Sequence, residues 1–278
     1  MVNRKIAAVK FDAGEVKETV ESVAREEALQ ITINLKPYTI TMRTQGQDAL
    51  LATGLLFTEN IINHPTDIIS ATEVPAPNAD HTLVVSLMIK EEVLHGKNLF
   101  NRSIASSASC GVCGKTELCD LPIPREPLYT TDKLTIEIIP RLLGQMSAAQ
   151  SVFEQTGGSH AAAAFTIRGN LLSVQEDIGR HNAVDKVIGD LFLSDALQQA
   201  ALLFVSGRVS YEIVAKCARA GIPFLLAVSA PSSLAVEFSR QQGITLIGFC
   251  RDNRCTVYTH EQNVVQYAST DLTATTNE

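Results

Sequence analysis

Three features of this 278-residue sequence predict an α/β fold preceded by an α+β region. Between residues 201 and 249 strand-like and helix-like segments alternate strictly, which requires a parallel sheet with right-handed crossovers. Upstream, Gly169-Asn170 separates two apolar runs as a hairpin turn does. Near the amino terminus, residues 29–36 and 38–43 alternate apolar and polar side chains on either side of Pro37, the pattern of two antiparallel strands around a turn.

Taken in order, that strand pair is followed by an apolar stripe at helical spacing over 48–62, a Pro-containing loop over 74–80 and a strand over 82–89. Residues 106–115 form a Ser/Gly-rich loop, and 121–127, with three prolines, read as a linker. The expected division is therefore 1–125 and 126–278. Beyond it, 141–153 has helical spacing and stops at Gly157-Gly158, because glycine tolerates left-handed backbone angles. Strands at 161–167 and 171–175 and a helix at 182–192 come next. The repeating unit then runs strand 201–205, helix 210–220, strand 224–228, helix 232–242 and strand 244–249.

Composition narrows the class. With 45% hydrophobic and 19% charged residues the chain can bury a sizeable core. No run reaches the roughly 18 apolar residues of a membrane span, and no apolar stretch follows the basic residues of the amino terminus, so no membrane partner is expected and cytoplasmic residence is the default. Six cysteines are too few for a disulfide scaffold in a chain of this length, so mostly reduced thiols are expected. A net charge of −7 argues against broad nucleic-acid binding and leaves room for a local basic pocket.

Open α/β sheets place ligands beyond the carboxyl ends of their strands. The residues predicted there are Ser206-Gly207-Arg208, the segment from Ser229 to Ser232, and Phe249-Cys250-Arg251-Asp252-Asn253-Arg254. Glycine permits close backbone approach, serines cap helix amino ends that attract anions, and arginine grips phosphate through two hydrogen bonds. Together they indicate a phosphate or nucleotide site. A fourth segment, Glu176-Asp177-Ile178-Gly179-Arg180-His181-Asn182, lies between a predicted strand and a helix. His160 and His181 are candidates for proton transfer and equally for structural hydrogen bonding.

The reactive chemistry centres on Cys110 and Cys113, three positions apart among small residues with Lys115 just beyond. Thiolate is the reactive form of cysteine, and a nearby cation lowers the ordinary thiol pKa of about 8.5. The competing reading is half of a zinc site completed by Cys119, Cys250, Cys255 or histidines, although no second tight pair is present. A zinc deaminase needs H-x-E and P-C-x-x-C. Here Ser109 precedes Cys110, and His64-Pro65-Thr66, His81-Thr82-Leu83 and His95-Gly96-Lys97 all lack the glutamate. A thioredoxin-type site would open a helix after a strand, whereas this pair lies in a loop far upstream of the parallel unit. Cys217, inside a predicted amphipathic helix, is expected in the core. No metal is expected to be bound.

Long blocks of the sequence resemble the FdhD family of formate dehydrogenase accessory sulfurtransferases: Ser107-Ala108-Ser109-Cys110-Gly111-Val112-Cys113-Gly114-Lys115, Thr156-Gly157-Gly158-Ser159-His160-Ala161-Ala162, Glu176-Asp177-Ile178-Gly179-Arg180-His181-Asn182-Ala183-Val184-Asp185-Lys186, Ser206-Gly207-Arg208-Val209-Ser210, Ala230-Pro231-Ser232-Ser233-Leu234-Ala235 and Gly248-Phe249-Cys250-Arg251. The resemblance implies a cytidine-deaminase-like three-layer domain, a homodimer, and a carrier that moves sulfur from a cysteine desulfurase to the molybdenum cofactor before its insertion into formate dehydrogenase. It also implies that Cys110 carries a persulfide, with Cys113 resolving it or assisting its release. By the same resemblance, Phe249 to Arg254 contact the molybdenum bis(molybdopterin guanine dinucleotide) acceptor, whose site a guanine nucleotide can occupy. Two other classes fit the residues: a non-catalytic cofactor chaperone and a zinc-stabilised interaction module.

Overall fold

The computed structural model describes residues 2–75, 82–97, 99 and 126–266. The chain begins with a hairpin absent from the sequence expectation, β1 (Asn3–Asp12) and β2 (Glu15–Ala24), turning at Ala13-Gly14 where both residues have positive φ. The expected strand pair follows as β3 (Glu27–Ile33) and β4 (Lys36–Arg43). Its two-residue turn is Asn34-Leu35, left-handed at both positions (φ 48° and 65°), as a type I′ hairpin turn requires. Pro37 does not interrupt the strands. It lies inside β4 beside a register shift, on an edge strand where its missing N–H costs no ladder bond.

Helix α1 (Asp48–Thr58) ends four residues earlier than its apolar stripe, because Asn60 adopts φ 62° and turns the chain. Strand β5 (Ile68–Pro75) was not expected, since all its residues after the first are exposed and carry no buried alternation. Strand β6 (Leu83–Ile89) and the one-turn helix α2 (Glu91–Leu94) follow. These strands form a sheet in the order β4-β3-β6-β5.

After the short strand β7 (Leu134–Thr135), the single helix expected over 141–153 is two: α3 (Ile139–Ala148) and α4 (Ser151–Thr156), divided at Gln150, whose ψ of 62° is not helical. Gly157 closes α4 at φ 65°, as expected. The rest is β8 (His160–Phe165), β9 (Leu171–Asp177), α5 (Arg180–Leu193), β10 (Leu202–Val205), α6 (Tyr211–Arg219), β11 (Phe224–Ala227), α7 (Ser233–Gln241), β12 (Thr245–Arg251), β13 (Arg254–Val257) and β14 (Val264–Val265), which pairs with β7. The main sheet has the order β13-β12-β11-β10-β8-β9. Its centre, β10 to β12, is parallel as expected, and both edges are antiparallel hairpins.

Alternation along these strands builds a three-layer structure. Ala162, Ala164, Leu203, Val205, Leu225 and Leu246 face a core shared with α5, α6 and α7. Ala161, Ala163, Phe165, Leu202, Phe204 and Phe224 face the opposite core with Ile139, Leu142 and Met146 of α3. Each large side chain buried this way contributes about 1.5–3 kcal/mol. The first core runs on into the amino-terminal region, because Leu29, Ile31, Leu51 and Leu56 belong to it with Val184 and Ile188. Among the described residues no helix is long and apolar enough to cross a membrane.

Candidate functional site

The carboxyl ends of β9 and β10 and the start of β8 meet along one edge of the main sheet. Asp177 fixes that edge. It is fully buried, accepts from the backbone N–H groups of Gly179 (2.8 Å) and Thr44 (3.2 Å) and from Asn182 Nδ2 (2.9 Å), and pairs with Lys186 Nζ at 2.8 Å. Burial pushes the Asp177 carboxyl up, against the pull of Lys186 and these hydrogen bonds. The turn into α5 is thereby held from several sides, and Arg180 and His181 emerge from it in fixed positions.

His160, opposite Asp177 in the β8–β9 register, is half-buried. Desolvation pushes its imidazole below the usual histidine range, Arg180 and Arg208 add to the effect, and Asp177 opposes them. His181 is buried, with Nε2 3.2 Å from Ser210 Oγ and 3.9 Å from Glu212 Oε2.

The three segments expected at the strand ends have different roles. Ser206 Oγ accepts from the Ala161 N–H at 2.9 Å and ties β10 to β8. Gly207 is buried between His160 and Arg180, and Arg208 is exposed. The next loop is joined to this one through Val209 N–H to Ala230 O (3.1 Å) and Ser232 N–H to Val209 O (2.9 Å). Ser232 caps α7, its Oγ accepting from Ala235 N–H at 3.2 Å. Ser232→Ala is therefore expected to cost about 1 kcal/mol in urea denaturation, and an unchanged midpoint would show the cap to be dispensable. Ser229 reaches the third segment through its carbonyl, which accepts from Phe249 N–H at 3.2 Å.

That third segment is not a loop, as the sequence suggested, but the end of β12, a two-residue turn and the start of β13. Gly248 runs so close to its neighbours that a Cβ would sit 3.0 Å from the Tyr258 ring and 3.2 Å from Ser229 O. Phe249 then takes φ 54° at the register shift between Gly248 and Arg251, which turns the end of the strand. Asp252 and Asn253, both at φ 54°, close the turn and leave Arg251 and Arg254 opposite each other and exposed.

Beneath this hairpin lies a cavity of about 620 Å³. Residues 250–255 line one side, and Ile136, Glu137, Ile139, Pro140 and Leu143 line the other. Its size suits a small-molecule ligand; the walls are mainly apolar, and the charged groups lining it are Glu137, Arg251, Asp252 and Arg254, the last two 3.5 Å apart. Cys250 borders it but is wholly buried, and desolvation pushes its thiol up to about 12. Burial raises Cys255 as well.

The hairpin residues thus come together around the cavity, while Ser206, Gly207, Arg208, Ser229 and Ser232 lie along the sheet edge and do not line it. Phe249 joins the two groups. Cys110 and Cys113 lie outside the described residues. The α3 side of the cavity gave no chemical signal in the sequence, since Ile136, Pro140 and Leu143 carry only apolar side chains. Cys217 is in the core as expected, its Sγ 3.3 Å from Ile222 O and its thiol raised by burial.

Residues 24–265 match the model of the FdhD/NarQ family. A protein named sulfur carrier protein FdhD from Sulfolobus acidocaldarius is 40% identical over 262 residues, covering 94% of this chain and 98% of its own. One of the same name from Nocardia farcinica is 42% identical over 254 residues, covering 88% of each chain. The fold is similar to the crystal structure of a candidate formate dehydrogenase accessory protein from Desulfotalea psychrophila, with a TM-score of 0.74, 23% identity, and coverage of 95% of this chain and 100% of that one. A family match from the end of β2 to β14, with relatives about 40% identical across almost their whole length, leads to one conclusion: the chain belongs to the FdhD/NarQ family.

Proposed function

We propose that this protein is a sulfur carrier that uses a cysteine persulfide in the maturation of formate dehydrogenase. The observation that carries the reading is near-full-length similarity, about 40% identical, to proteins named sulfur carriers, in a chain that contains the pair Cys110 and Cys113. The environments of other thiols support it. Burial pushes the Cys250 thiol up to about 12 and raises Cys217 as well, which disfavours the reactive thiolate at both positions.

In the proposed reaction the Cys110 thiolate attacks the sulfane sulfur of a persulfide on a cysteine desulfurase. The donor's S–S bond breaks, its cysteine leaves as thiolate, and the sulfur remains on Cys110 as a persulfide, with no net change in oxidation state. The acceptor is the molybdenum bis(molybdopterin guanine dinucleotide) cofactor, written here as substrate. The hairpin cavity fits one end of such a molecule: apolar walls offer a surface for a flat ring, and Arg251 and Arg254 at the rim suit phosphate oxygens. Ser206 to Arg208, with Ser229 and Ser232, extend the same sheet edge. Cys113 takes the secondary role of resolving or releasing the persulfide. A homodimer, delivery to formate dehydrogenase and action in the cytoplasm complete the reading, on a three-layer scaffold of cytidine-deaminase type that lacks the deaminase glutamate.

Mass spectrometry after incubation with a cysteine desulfurase and cysteine tests the carrier step. One added, reductant-labile sulfur is expected on the wild type and on Cys113→Ala, and none on Cys110→Ala. Absence of added sulfur on the wild type, with the desulfurase shown to be active, would replace this reading with a non-catalytic cofactor chaperone.

A further inference from the structure

Beyond the hairpin cavity, the sheet edge carries a second group of residues with one chemical character. Gly207 is the centre of it. A Cβ built there would lie 3.3 Å from His160 Nδ1 and 3.5 Å from the Cβ and Cδ of Arg180, so the absent side chain leaves a small recess walled by an imidazole and an arginine stem. Arg208 follows directly in sequence, and both guanidinium groups act on His160 electrostatically. Among the described residues neither arginine has an acidic partner, and Arg180 Nε is enclosed without any hydrogen-bond partner. An enclosed guanidinium N–H without an acceptor is costly, and a bound oxyanion supplies the acceptor.

Asp177 is the acidic group facing this recess, and its oxygens are engaged by Lys186, Asn182 and the backbone of Gly179 and Thr44. It therefore fixes the turn and leaves the arginines free for a ligand. The recess also opens beside the start of α5, a 14-residue helix whose N-cap, Gly179, offers no side-chain cap of its own.

We propose that His160, Arg180 and Arg208 form an oxyanion-binding subsite around Gly207 that takes the diphosphate of a nucleotide-bearing ligand. The proposal deepens the reading of this sheet edge as the cofactor-facing surface and rests on it. Arg180 and Arg208 bind non-bridging oxygens through charge-assisted hydrogen bonds, and His160 donates a further bond when protonated. Gly207 is glycine here because a side chain would fill the place of the ligand oxygens.

The experiment is equilibrium titration of the full-length protein with inorganic pyrophosphate and, separately, with GDP, comparing wild type, Arg180→Gln, Arg208→Gln, Gly207→Ala and the double variant Arg251→Gln/Arg254→Gln. Thermal melts check that each variant is folded. Loss of either Arg180 or Arg208 is expected to weaken pyrophosphate about tenfold or more, and Gly207→Ala to weaken it with both arginines intact. The hairpin double variant is expected to weaken pyrophosphate less than Arg180→Gln or Arg208→Gln does, and a larger loss in it than in either of them would overturn the proposal. Unchanged pyrophosphate binding in folded Arg180→Gln and Arg208→Gln would overturn the proposal, as would a wild type that does not bind pyrophosphate. GDP binding that depends on the hairpin arginines alone would also overturn it and leave the proposed nucleotide surface standing. Sulfur loading of Cys110, read by mass, reports on the carrier reading independently of either ligand.

Discussion

Gly54→Ala is expected to destabilise the protein by about 3 kcal/mol, a large fraction of the net stability of a typical domain. Helices α1 and α5 cross with almost no space between their backbones. A Cβ on Gly54 would lie 1.8 Å from Asp185 O, and one on Gly189 would lie 2.1 Å from Leu50 O and 2.9 Å from Gly54 N. These neighbours are backbone atoms that cannot rotate away, so a single methyl group forces the helices apart. Their separation would open the core in which Leu51 and Leu56 meet Val184 and Ile188, and would displace the amino end of α5 that carries Arg180. Gly189→Ala is expected to act alike. Gly144→Ala is the control, because it lies in α3 with nothing within 4 Å of the added carbon, and it should be neutral or slightly stabilising. Urea denaturation of the three variants measures the contrast. A Gly54→Ala protein within about 0.5 kcal/mol of wild type would show that the helices do not pack this closely.

The parts of the fold legible in the sequence are those whose side chains alternate between two buried faces or repeat at helical spacing. Leu202, Leu203, Phe204 and Val205 are all buried because β10 is covered on both sides, and such a run between helical patterns reads directly as an inner strand. The missed elements lack that contrast. In β1 and β2 the apolar residues Val9, Phe11, Val16 and Val20 are exposed among lysines and glutamates, so no buried stripe marks the strands. The register shift after Gly248 moves the side chains out of step by one, and β13 therefore vanished into an apparent loop. The cavity was beyond reach for a different reason: residues 136–143 and 250–255 become neighbours only in the folded chain. Chemistry was easier to read than geometry. The arginines and serines of the strand ends were legible as anion-binding types, but their separation into a hairpin cavity and a recess at Gly207 depends on packing that no local pattern records.

Lys216→Met is expected to cost about 3–5 kcal/mol at neutral pH, because it strands a carboxylate in the core. Lys216 Nζ lies 2.7 and 2.8 Å from the two oxygens of Asp185 and 3.0 Å from Thr58 Oγ1, which itself donates to Asp185 Oδ1 at 2.9 Å. All three residues are buried, and they join α1, α5 and α6, the helix that follows the Gly207 loop. Burial raises the Asp185 carboxyl, and Lys216 is the largest influence opposing the rise. Without the ammonium, Asp185 would fold more readily as the neutral acid. A carboxyl whose folded pKa is raised destabilises the fold above that pKa, and the penalty disappears below its unfolded value of about 3.9. The deficit of Lys216→Met should therefore shrink as pH falls, as long as wild type remains folded for comparison. Adding Asp185→Leu to Lys216→Met should recover a large part of the loss at neutral pH, since two apolar side chains leave no unpaired charge. Stability curves of both variants at pH 7 and pH 5 separate the possibilities. A deficit independent of pH and unrelieved by the second substitution would mean that the lysine acts through its packed stem, and that the charge pair is not what holds α6 against α5.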